Sequence, residues 1–248
     1  MALSYVLPVR MSEGEDEAAE LTGYLERLTQ WCNEVIVVDG SPPTVFSRHA
    51  RVWDGLARHV APDPAHTSLM GKVQGVLTGV DLASNERVII ADDDVRYDPA
   101  QLARMAQLLN THDVVRPQNY FSPHPWHAVW DTARTLLNRG TGADFPGTLG
   151  VRRSILRATG GYDGNVMFEN LELIRTVRAG GGTEAAPLDL YVRRLPPTAA
   201  HFWGQRTRQA YDDFAIPPRM ALWLTIVPAL VWGALWRQHH PHRRPLAP

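Results

Sequence analysis

Three consecutive aspartates follow directly on an apolar run in the segment ERVIIADDDVRYDP, residues 86–99. The stretch Val88–Ala91 has no polar residue, as is typical of a strand buried on both faces of a parallel sheet. Open α/β sheets bind ligands at the carboxyl ends of their strands, so Asp92, Asp93 and Asp94 lie where a site is expected. Three adjacent like charges repel one another unless a cation or strong donors lie among them.

A divalent metal that carries a diphosphate would relieve this repulsion, because Mg²⁺ is commonly held by one or two carboxylates and substrate phosphates. The alternative is an acidic, solvated turn that merely ends a strand. Asp98 is a different case, because Pro99 and the apolar spacing of Leu102 and Met105 follow it. This pattern predicts a helix N-cap with proline at the first helical position, a structural role.

Strand and helix patterns alternate along the first hundred residues, which predicts a parallel sheet with right-handed crossovers. The predicted strands are Ser4–Val9, Glu34–Asp39, a short edge strand near His59 and Val60, and Val88–Ala91. The predicted helices cover residues 15–32, 44–58 and 69–80.

The second half of the chain continues with fewer clear signals. The patterns there predict a strand at Asp113–Phe121, helices at Trp126–Asn138 and Glu169–Ala179, a late strand at Leu188–Arg194 and a polar helix at Gln205–Phe214. We find no internal repeat and no linker long enough to separate independent domains.

The C-terminal segment departs from the pattern of a water-soluble domain. Met220–Trp236 carries no charge, Arg219 and Arg237 flank it, and a tail rich in His and Arg follows. Its length is at the lower limit for crossing a bilayer, so we expect a helix that lies in or re-enters the membrane surface. The alternative is a buried helix kinked at Pro228. The basic flank and the lack of a secretory signal predict a cytoplasmic protein, peripheral to the inner face of the plasma membrane.

Charge limits the class of partner. The formal net charge is −1 and the isoelectric point is about 6.8, so the chain lacks the basic footprint expected of a nucleic-acid-binding protein.

Taken together, the motifs resemble glycosyltransferase family 2, whose members are nucleotide-sugar enzymes of the GT-A fold. The resemblance covers roughly residues 3–215. It rests on these segments in this order: SYVLPVR, EVIVVDGS, GKVQGVLTGV, IIADDDVRYDP as the DxD segment, GTLGVRRSILRATGGYDG, FENLELIRTVRAGG, and GQRTRQAY as a relaxed QxxRW motif.

The resemblance implies roles for individual residues. It assigns nucleotide-sugar binding to Pro8, Val9, Arg10, Asp39, Lys72, Asp92, Asp93, Arg206 and Arg208, with Asp39 bonding the base. It assigns a Mn²⁺ or Mg²⁺ ion to Asp92, Asp94 and His201. Three of these residues have a plainer alternative role. Asp39 could cap the turn that follows it, Lys72 could be a solvated surface lysine, and His201 could be an ordinary packed histidine.

The catalytic base is where the chain departs from the family pattern. The family often has Glu-Asp here with the aspartate as base, whereas this chain has Glu169-Asn170. An amide cannot usefully accept a proton, so the resemblance leaves Glu169 as the base. Glu172, one helical turn on, is expected to have a surface or structural role. Gln209 replaces the tryptophan of the relaxed motif, which argues against a processive polysaccharide synthase.

The resemblance thus implies an α/β fold of GT-A (Rossmann-like) type, with a mixed, mostly parallel sheet flanked by helices and a C-terminal hydrophobic helix. Residues 1–215 would form the transferase domain, with a nucleotide-sugar half at 1–98 and an acceptor half at 99–215. Residues 216–248 would form the membrane-associating helix and basic tail.

The expected function is a metal-dependent inverting transfer from a UDP- or GDP-sugar to a glycan or lipid-linked acceptor of the cell envelope. The alternatives are a sugar-phosphate nucleotidyltransferase and a non-catalytic nucleotide-sugar-binding module.

Overall fold

The computed structural model describes residues 2–12, 18–140, 146–211, 214 and 216–239. The strands are β1 (Ser4–Val9), β2 (Glu34–Asp39), β3 (Arg58–Val60), β4 (Arg87–Ala91), β5 (Val95–Arg96), β6 (Val114–Val115), β7 (Gln118–Phe121), β8 (Thr148–Arg152), β9 (Glu184–Ala185) and β10 (Tyr191–Arg194). The helices are α1 (Ala18–Trp31), α2 (Pro43–Val52), α3 (Gly71–Leu82), α4 (Pro99–Leu108), α5 (Trp126–Gly140), α6 (Arg153–Ala158), α7 (Glu169–Ala179), α8 (Ala199–Ala210) and α9 (Pro217–His239). The predicted start of the first helix, at residue 15, lies outside the described residues.

Seven strands form the central sheet in the order β3-β2-β1-β4-β8-β6-β9. The four strands from β3 to β4 run parallel, β8 is antiparallel to both β4 and β6, and β9 is parallel to β6. A second sheet of three strands has the order β5-β10-β7. The predicted fold class, a mixed and mostly parallel sheet flanked by helices, is confirmed.

The central sheet is buried on both faces, as the unbroken apolar runs predicted. Tyr5 and Leu7 of β1 belong to one hydrophobic cluster, whereas Val6 between them belongs to the other. Side chains alternate between the two faces of a strand, so each run supplies both clusters. The first cluster includes α1 and α4, and the second includes α3 and α7.

Helix α3 lies unusually close to β1 because it carries two glycines on the facing side. A Cβ atom on Gly75 would lie 2.9 Å from Pro8 Cβ, and one on Gly79 would lie 2.3 Å from Val6 Cγ1. Only glycine fits such an approach without displacing the neighbouring side chain. The close packing fixes the position of the first turn of α3 over the carboxyl end of β1.

The N-cap predicted at Asp98 is confirmed, and it begins α4 with a capping box. The Asp98 side chain accepts from the Gln101 amide (2.8 Å), and the Gln101 side chain accepts from the Asp98 amide (2.9 Å). These two bonds satisfy amide groups that the start of a helix leaves free.

The predicted strand Asp113–Phe121 is wrong, because the segment forms two short strands in different sheets. Val114–Val115 joins the central sheet as β6, and Gln118–Phe121 joins the small sheet as β7. Pro117 lies between them and has no amide hydrogen to donate to a ladder. The chain can therefore leave one sheet and enter the other at this point.

The chain divides into two compact units, Met1–Pro197 and Thr198–Pro248. In the second unit, α8 begins at Ala199, ahead of the predicted Gln205, because Thr198 Oγ1 accepts from the His201 amide (3.2 Å) and caps the helix. Helix α9 has 23 residues, passes through Pro228 and is apolar enough to cross a membrane. In the most apolar 18-residue stretch of this helix, 6% of the residues are buried. The functional boundary predicted at residue 215 stays a prediction.

Candidate active site

The three aspartates follow β4 in a tight turn at the carboxyl end of the strand. The Asp92 amide donates to the Gly147 carbonyl (2.8 Å), and the Val95 amide donates to the Asp92 carbonyl (3.1 Å). Asp93 lies in the middle of the turn, where its carbonyl accepts from Arg96 Nη1 (2.5 Å). The carboxyl ends of β1 and β2 lie at the same edge of the sheet, which is where α/β sheets bind ligands.

Lys72, in the first turn of α3, links the aspartate turn to the start of α7. Its Nζ atom lies 2.5 Å from Asp92 Oδ1 and 2.8 Å from Glu169 Oε1. Burial alone would lower the pKa of Lys72, but Asp92 and Glu169 outweigh it and raise that pKa well above its usual value. The surface-lysine alternative therefore does not describe Lys72 in this structure.

Arg194, at the end of β10, binds both outer aspartates. Its Nε donates to Asp94 Oδ2 (2.8 Å), and its Nη2 lies 3.4 Å from Asp92 Oδ2. Burial would lower the pKa of Arg194, but the charges of Asp94 and Asp92 raise it above its usual value. One guanidinium thus bridges the two carboxylates of the DxD pattern.

Gly147 lies just before β8, and its main chain packs against the ion pair of Asp92 and Arg194. A Cβ atom there would lie 2.6 Å from Asp92 Oδ2 and 3.2 Å from Arg194 Cζ. No other residue type fits without moving the ion pair, so the glycine-rich sequence before β8 allows the main chain to lie against the charged groups.

The carboxylates of this cluster fit a divalent metal. Asp94 Oδ1 is buried and has no hydrogen-bond partner among the described residues, so it is free to bind an ion. Burial raises the pKa of Asp94, Arg194 opposes this effect, and Asp92 adds to it. Carboxylate oxygens are the ligands that Mg²⁺ and Mn²⁺ favour. Asp92 and Asp94 could therefore hold such an ion.

The cluster keeps a net negative charge even with its two basic residues. Asp92, Asp94 and Glu169 carry three negative charges, and Lys72 and Arg194 carry two positive charges. Over these five side chains the sum is one negative charge, which favours the binding of a cation.

Glu169 and Asn170 begin α7 and have different surroundings. The Glu169 carboxylate is bound to Lys72 at the cluster, whereas Asn170 Nδ2 donates to the carbonyl of Pro146 (2.7 Å). An aspartate at position 170 would present an acceptor to that carbonyl oxygen in place of a donor. The amide of Asn170 thus ties α7 to the segment that leads into β8.

Asp39 ends β2 with a carboxylate that the protein already satisfies. Oδ2 accepts from His49 Nδ1 (2.7 Å) and His59 Nε2 (3.0 Å), and Oδ1 accepts from the Ser41 amide (2.8 Å). Burial would raise the pKa of Asp39, but the hydrogen bonds from His59, Ser41 and His49 lower it well below its usual range. The turn-capping alternative is thus present in this structure.

Asp39, His49 and His59 also offer three metal-ligand atoms within 4.8 Å of one another. Two imidazoles that hydrogen-bond to one carboxylate oxygen account for this grouping without an ion. His49 stacks on Trp53 with 4.4 Å between ring centroids, and His59 stacks on Phe46 with 4.3 Å. The trio is therefore built into the aromatic packing beneath the sheet edge.

The three residues at the end of β1 lie at the same edge as Asp39. Val9 pairs with Asp39 in the parallel register, and its carbonyl accepts from the Gly40 amide (2.9 Å). Pro8 is half-buried against Gly75 of α3, and Arg10 follows the strand as an exposed residue. The structure therefore gathers Pro8, Val9 and Arg10 at the strand edge, where their nucleotide-binding role stays a prediction.

The three predicted residues of α8 belong to the second unit. His201 is exposed and hydrogen-bonds through Nε2 to Gln205. Arg206 Nε donates to the Phe202 carbonyl (3.1 Å), and its guanidinium lies 4.0 Å from the centroid of the Phe202 ring. The backbone of Arg208 lies in α8, and its side chain is outside the described residues. Metal binding by His201 and phosphate binding by Arg206 and Arg208 stay predictions.

Sequence reasoning missed Arg194 and Tyr162. Arg194 ends a strand in the segment YVRRL, and only the tertiary pairing of β10 with β5 brings it to the aspartates. The Tyr162 hydroxyl is buried without a hydrogen-bond partner among the described residues. Burial raises its pKa, as do the charges of Glu169 and Asp92, while Lys72 lowers it, so this phenol also faces the cluster.

Several solved structures have a similar fold. Glucosyl-3-phosphoglycerate synthase from Mycobacterium tuberculosis, in complex with Mn²⁺, UDP and phosphoglyceric acid, has 21% identity and a TM-score of 0.54, over 84% of this chain and 75% of that chain. Mannosyltransferase PcManGT from Pyrobaculum calidifontis, in complex with GDP-Man and Mn²⁺, has 18% identity and a TM-score of 0.57, over 98% and 82%. S. aureus TarS (1-349) has 15% identity and a TM-score of 0.57, over 87% and 72%.

This chain has a GT-A fold. The evidence for it is structural, because no protein-family model and no curated protein matches the sequence. In this GT-A fold the aspartate turn, Lys72, Glu169 and Arg194 meet at one edge of the central sheet.

Proposed function

We propose that this chain is a metal-dependent inverting glycosyltransferase that uses a nucleoside diphosphate sugar, a UDP- or GDP-sugar, as donor. The observation that carries the proposal is the convergence of Asp92, Asp94 and Glu169 with Lys72 and Arg194 at the ligand-binding edge of a GT-A fold. The similar structures that contain Mn²⁺ with UDP or with GDP-Man support this choice of ligand class.

In this proposal the acidic residues hold the metal ion and the basic residues contact the phosphates of the donor. Asp92 and Asp94 would hold Mn²⁺ or Mg²⁺, which when bound neutralises the charge of the leaving diphosphate. Lys72 and Arg194 supply donors for phosphate oxygens, and such charge-assisted bonds are stronger than neutral ones. Arg206 and Arg208 of α8 are proposed as further phosphate donors, and His201 as a further metal ligand.

Glu169 is the proposed general base. It takes the proton of the acceptor hydroxyl while that oxygen forms a bond to the anomeric carbon, and the bond from that carbon to the diphosphate oxygen breaks. The nucleoside diphosphate leaves from the opposite face of the sugar, so the configuration inverts. Lys72, bound to Glu169, holds the carboxylate towards the aspartate turn.

The acceptor is proposed to be a lipid-linked or cell-envelope glycan at the inner face of the plasma membrane. Helix α9 supports this proposal, because its apolar central part is almost wholly exposed. Among the described residues it is the only helix that is long and apolar enough to span a bilayer.

A thermal-shift panel tests the donor class. Nucleoside diphosphates and their sugars are added with Mn²⁺ or with EDTA, and one base series should raise the melting temperature only with Mn²⁺. Binding stabilises by mass action, by about 2.7 kcal/mol at a hundredfold excess over Kd. The control is Asp94→Asn, which should lose the shift.

Three results separate this function from its alternatives. If no nucleotide shifts the wild-type protein, the proposed donor site is wrong. A nucleotidyltransferase would instead respond to a nucleoside triphosphate together with a sugar phosphate. A binding module would respond to the nucleotide sugar and then release neither free sugar nor product.

A further inference from the structure

The carboxylates expected to bind a metal are already bridged by a cation of the chain itself. The Arg194 guanidinium reaches Oδ2 of Asp94 at 2.8 Å through Nε and Oδ2 of Asp92 at 3.4 Å through Nη2. One oxygen of each carboxylate faces the guanidinium. The main chain at Gly147 packs against this ion pair, since a Cβ there would lie 2.6 Å from Asp92 Oδ2.

Backbone hydrogen bonds hold the main chain of Arg194, whereas the two ion pairs hold its side chain. Arg194 pairs with Val95 of β5, its carbonyl accepts from the Ser122 amide (3.1 Å), and the next amide, of Leu195, donates to the Asp94 carbonyl (2.8 Å). The side chains of Arg194 and Asp94 are each 29% exposed, so solvent and ions reach the bridge. Rotation about the side-chain bonds of Arg194 would move the guanidinium and leave its Cα in place.

A divalent ion held by Asp92 and Asp94 would compete with this guanidinium. A metal held between two carboxylates lies about 2.1 Å from its oxygens. Asp94 Oδ1 has no partner among the described residues, but Lys72 lies 2.5 Å from Asp92 Oδ1 and Arg194 lies 3.4 Å from Asp92 Oδ2. An ion held by both aspartates would therefore compete for Asp92 with these two side chains, and the longer contact, that of Arg194, is the easier one to displace. Two positive groups on the same carboxylate would also repel each other.

We propose that Arg194 is an internal counter-ion of the aspartate turn, which a divalent cation displaces and which then turns to the diphosphate of the donor. This inference rests on the proposed function for the identity of the second ligand, but its first half concerns the ion alone. Before this displacement, Arg194 holds the two carboxylates together. Once displaced, its planar fork is free to bind two phosphate oxygens.

Mn²⁺ binding without nucleotide tests the competition. The fraction of free Mn²⁺ is measured by electron paramagnetic resonance for the wild-type protein and for Arg194→Gln. Removing the competing cation should tighten Mn²⁺ binding about two- to fivefold, the range expected for breaking a partly exposed ion pair. Melting temperatures of both proteins establish that the variant is folded.

Arg193→Gln is the matched control, because it removes the same charge from the preceding residue of β10. Successive side chains of a strand point to opposite faces, and Arg193 Nε donates to the Ser122 carbonyl instead (3.1 Å). Its Mn²⁺ affinity should equal that of the wild-type protein. If Arg194→Gln binds Mn²⁺ as weakly as the wild-type protein, or more weakly, Arg194 does not compete with the ion and the inference is wrong. If neither the wild-type protein nor Arg194→Gln binds Mn²⁺, the inference is also wrong.

A second measurement tests the later role of the guanidinium. With saturating Mn²⁺, calorimetry should show that Arg194→Gln binds the nucleoside diphosphate about tenfold or more weakly, the cost of a lost charge-assisted bond. Unchanged nucleotide affinity would overturn this half of the inference. If the wild-type protein binds Mn²⁺ and no nucleotide, the proposed function fails, while the Mn²⁺ comparison still decides whether Arg194 is a counter-ion.

Discussion

Glu169 and Asn170 are neighbours in sequence, but only Glu169 is connected to the charged cluster. Glu169 binds Lys72, whereas Asn170 donates to the Pro146 carbonyl and so secures the start of α7. The carboxylate and the amide at the start of α7 therefore have different contacts, one with a charged side chain and the other with the main chain. The proposed base is therefore held in place by its neighbour as well as by Lys72.

Replacing Glu169 by glutamine removes the proposed base and keeps its shape. We expect Glu169→Gln to lose sugar transfer by about 10²-fold or more, because an amide cannot take the acceptor proton. Donor affinity should stay within about threefold of the wild-type value, since the aspartate turn is unchanged. Initial rates and calorimetry on the same preparation measure the two quantities.

Glu172→Gln serves as the comparison, because it makes the same chemical change one turn further along α7. Its transfer rate should equal that of the wild-type protein. Near-normal transfer by Glu169→Gln would move the role of base to another residue.

Residue types were easier to predict than residue partners. The sequence pattern identifies Asp39 as a carboxylate at the end of a strand, but His49 and His59 reach it from α2 and β3 through tertiary packing. Arg194 and Asp94 likewise lie far apart in the chain, and no local spacing relates them. Local pattern reports which groups end a strand, whereas the packing of several elements decides what those groups touch.

At the scale of the element, α3 connects sheet packing to the site. Gly75 and Gly79 let the helix approach β1, and the first turn of that helix carries Lys72. The glycines contact no charged group of the cluster, but they set the distance at which Lys72 meets Asp92.

A methyl group on Gly79 should push α3 away from β1. The added Cβ would lie 2.3 Å from Val6 Cγ1, so we expect Gly79→Ala to lower the free energy of unfolding by about 1–3 kcal/mol, the usual cost of overpacking. Urea unfolding at pH 7 measures this difference.

Gly71→Ala is the control on the same helix, because a Cβ there meets no atom within 4 Å. It should leave stability unchanged or raise it slightly, since alanine favours the helix more than glycine does. A Gly79→Ala protein as stable as Gly71→Ala would mean that α3 and β1 are less tightly packed than the structure indicates.

The elements themselves follow from the sequence where the apolar pattern is long. Strands Ser4–Val9 and Glu34–Asp39 and helix Glu169–Ala179 have the predicted bounds. The prediction fails at Asp113–Phe121, because the segment supplies one short strand to each of two sheets, with Pro117 between them. Hydrophobic pattern predicts burial, but it does not indicate which sheet a strand will join.

At the scale of the whole molecule, the chain combines an α/β unit with a unit that contains a long exposed apolar helix. Large side chains along α9 are open to solvent, with Val227 68%, Leu230 69% and Trp232 74% exposed. Contiguous apolar surface of this kind is uncommon on soluble proteins and often marks a contact with a membrane or another protein. We therefore expect α9 to bind the protein to a lipid surface.

Charges in the middle of α9 should abolish this binding. The wild-type protein is expected to sediment with anionic phospholipid vesicles, and the double variant Val227→Asp, Leu230→Asp to stay in the supernatant. Each aspartate costs about 2.5–3.5 kcal/mol near the centre of an inserted helix. Gln238→Asp, near the end of the helix, should sediment like the wild-type protein. Equal sedimentation of all three proteins would rule out insertion of α9 as the means of attachment.

Lys72 is the only lysine in the chain, and its ammonium group lies between Asp92 and Glu169. Isotope labelling of lysine alone would therefore give a magnetic resonance spectrum with a single side-chain signal, already assigned and located inside the site. That signal would respond to ions, nucleotides and acceptors as each arrives. The protein thus carries its own spectroscopic reporter without any added probe.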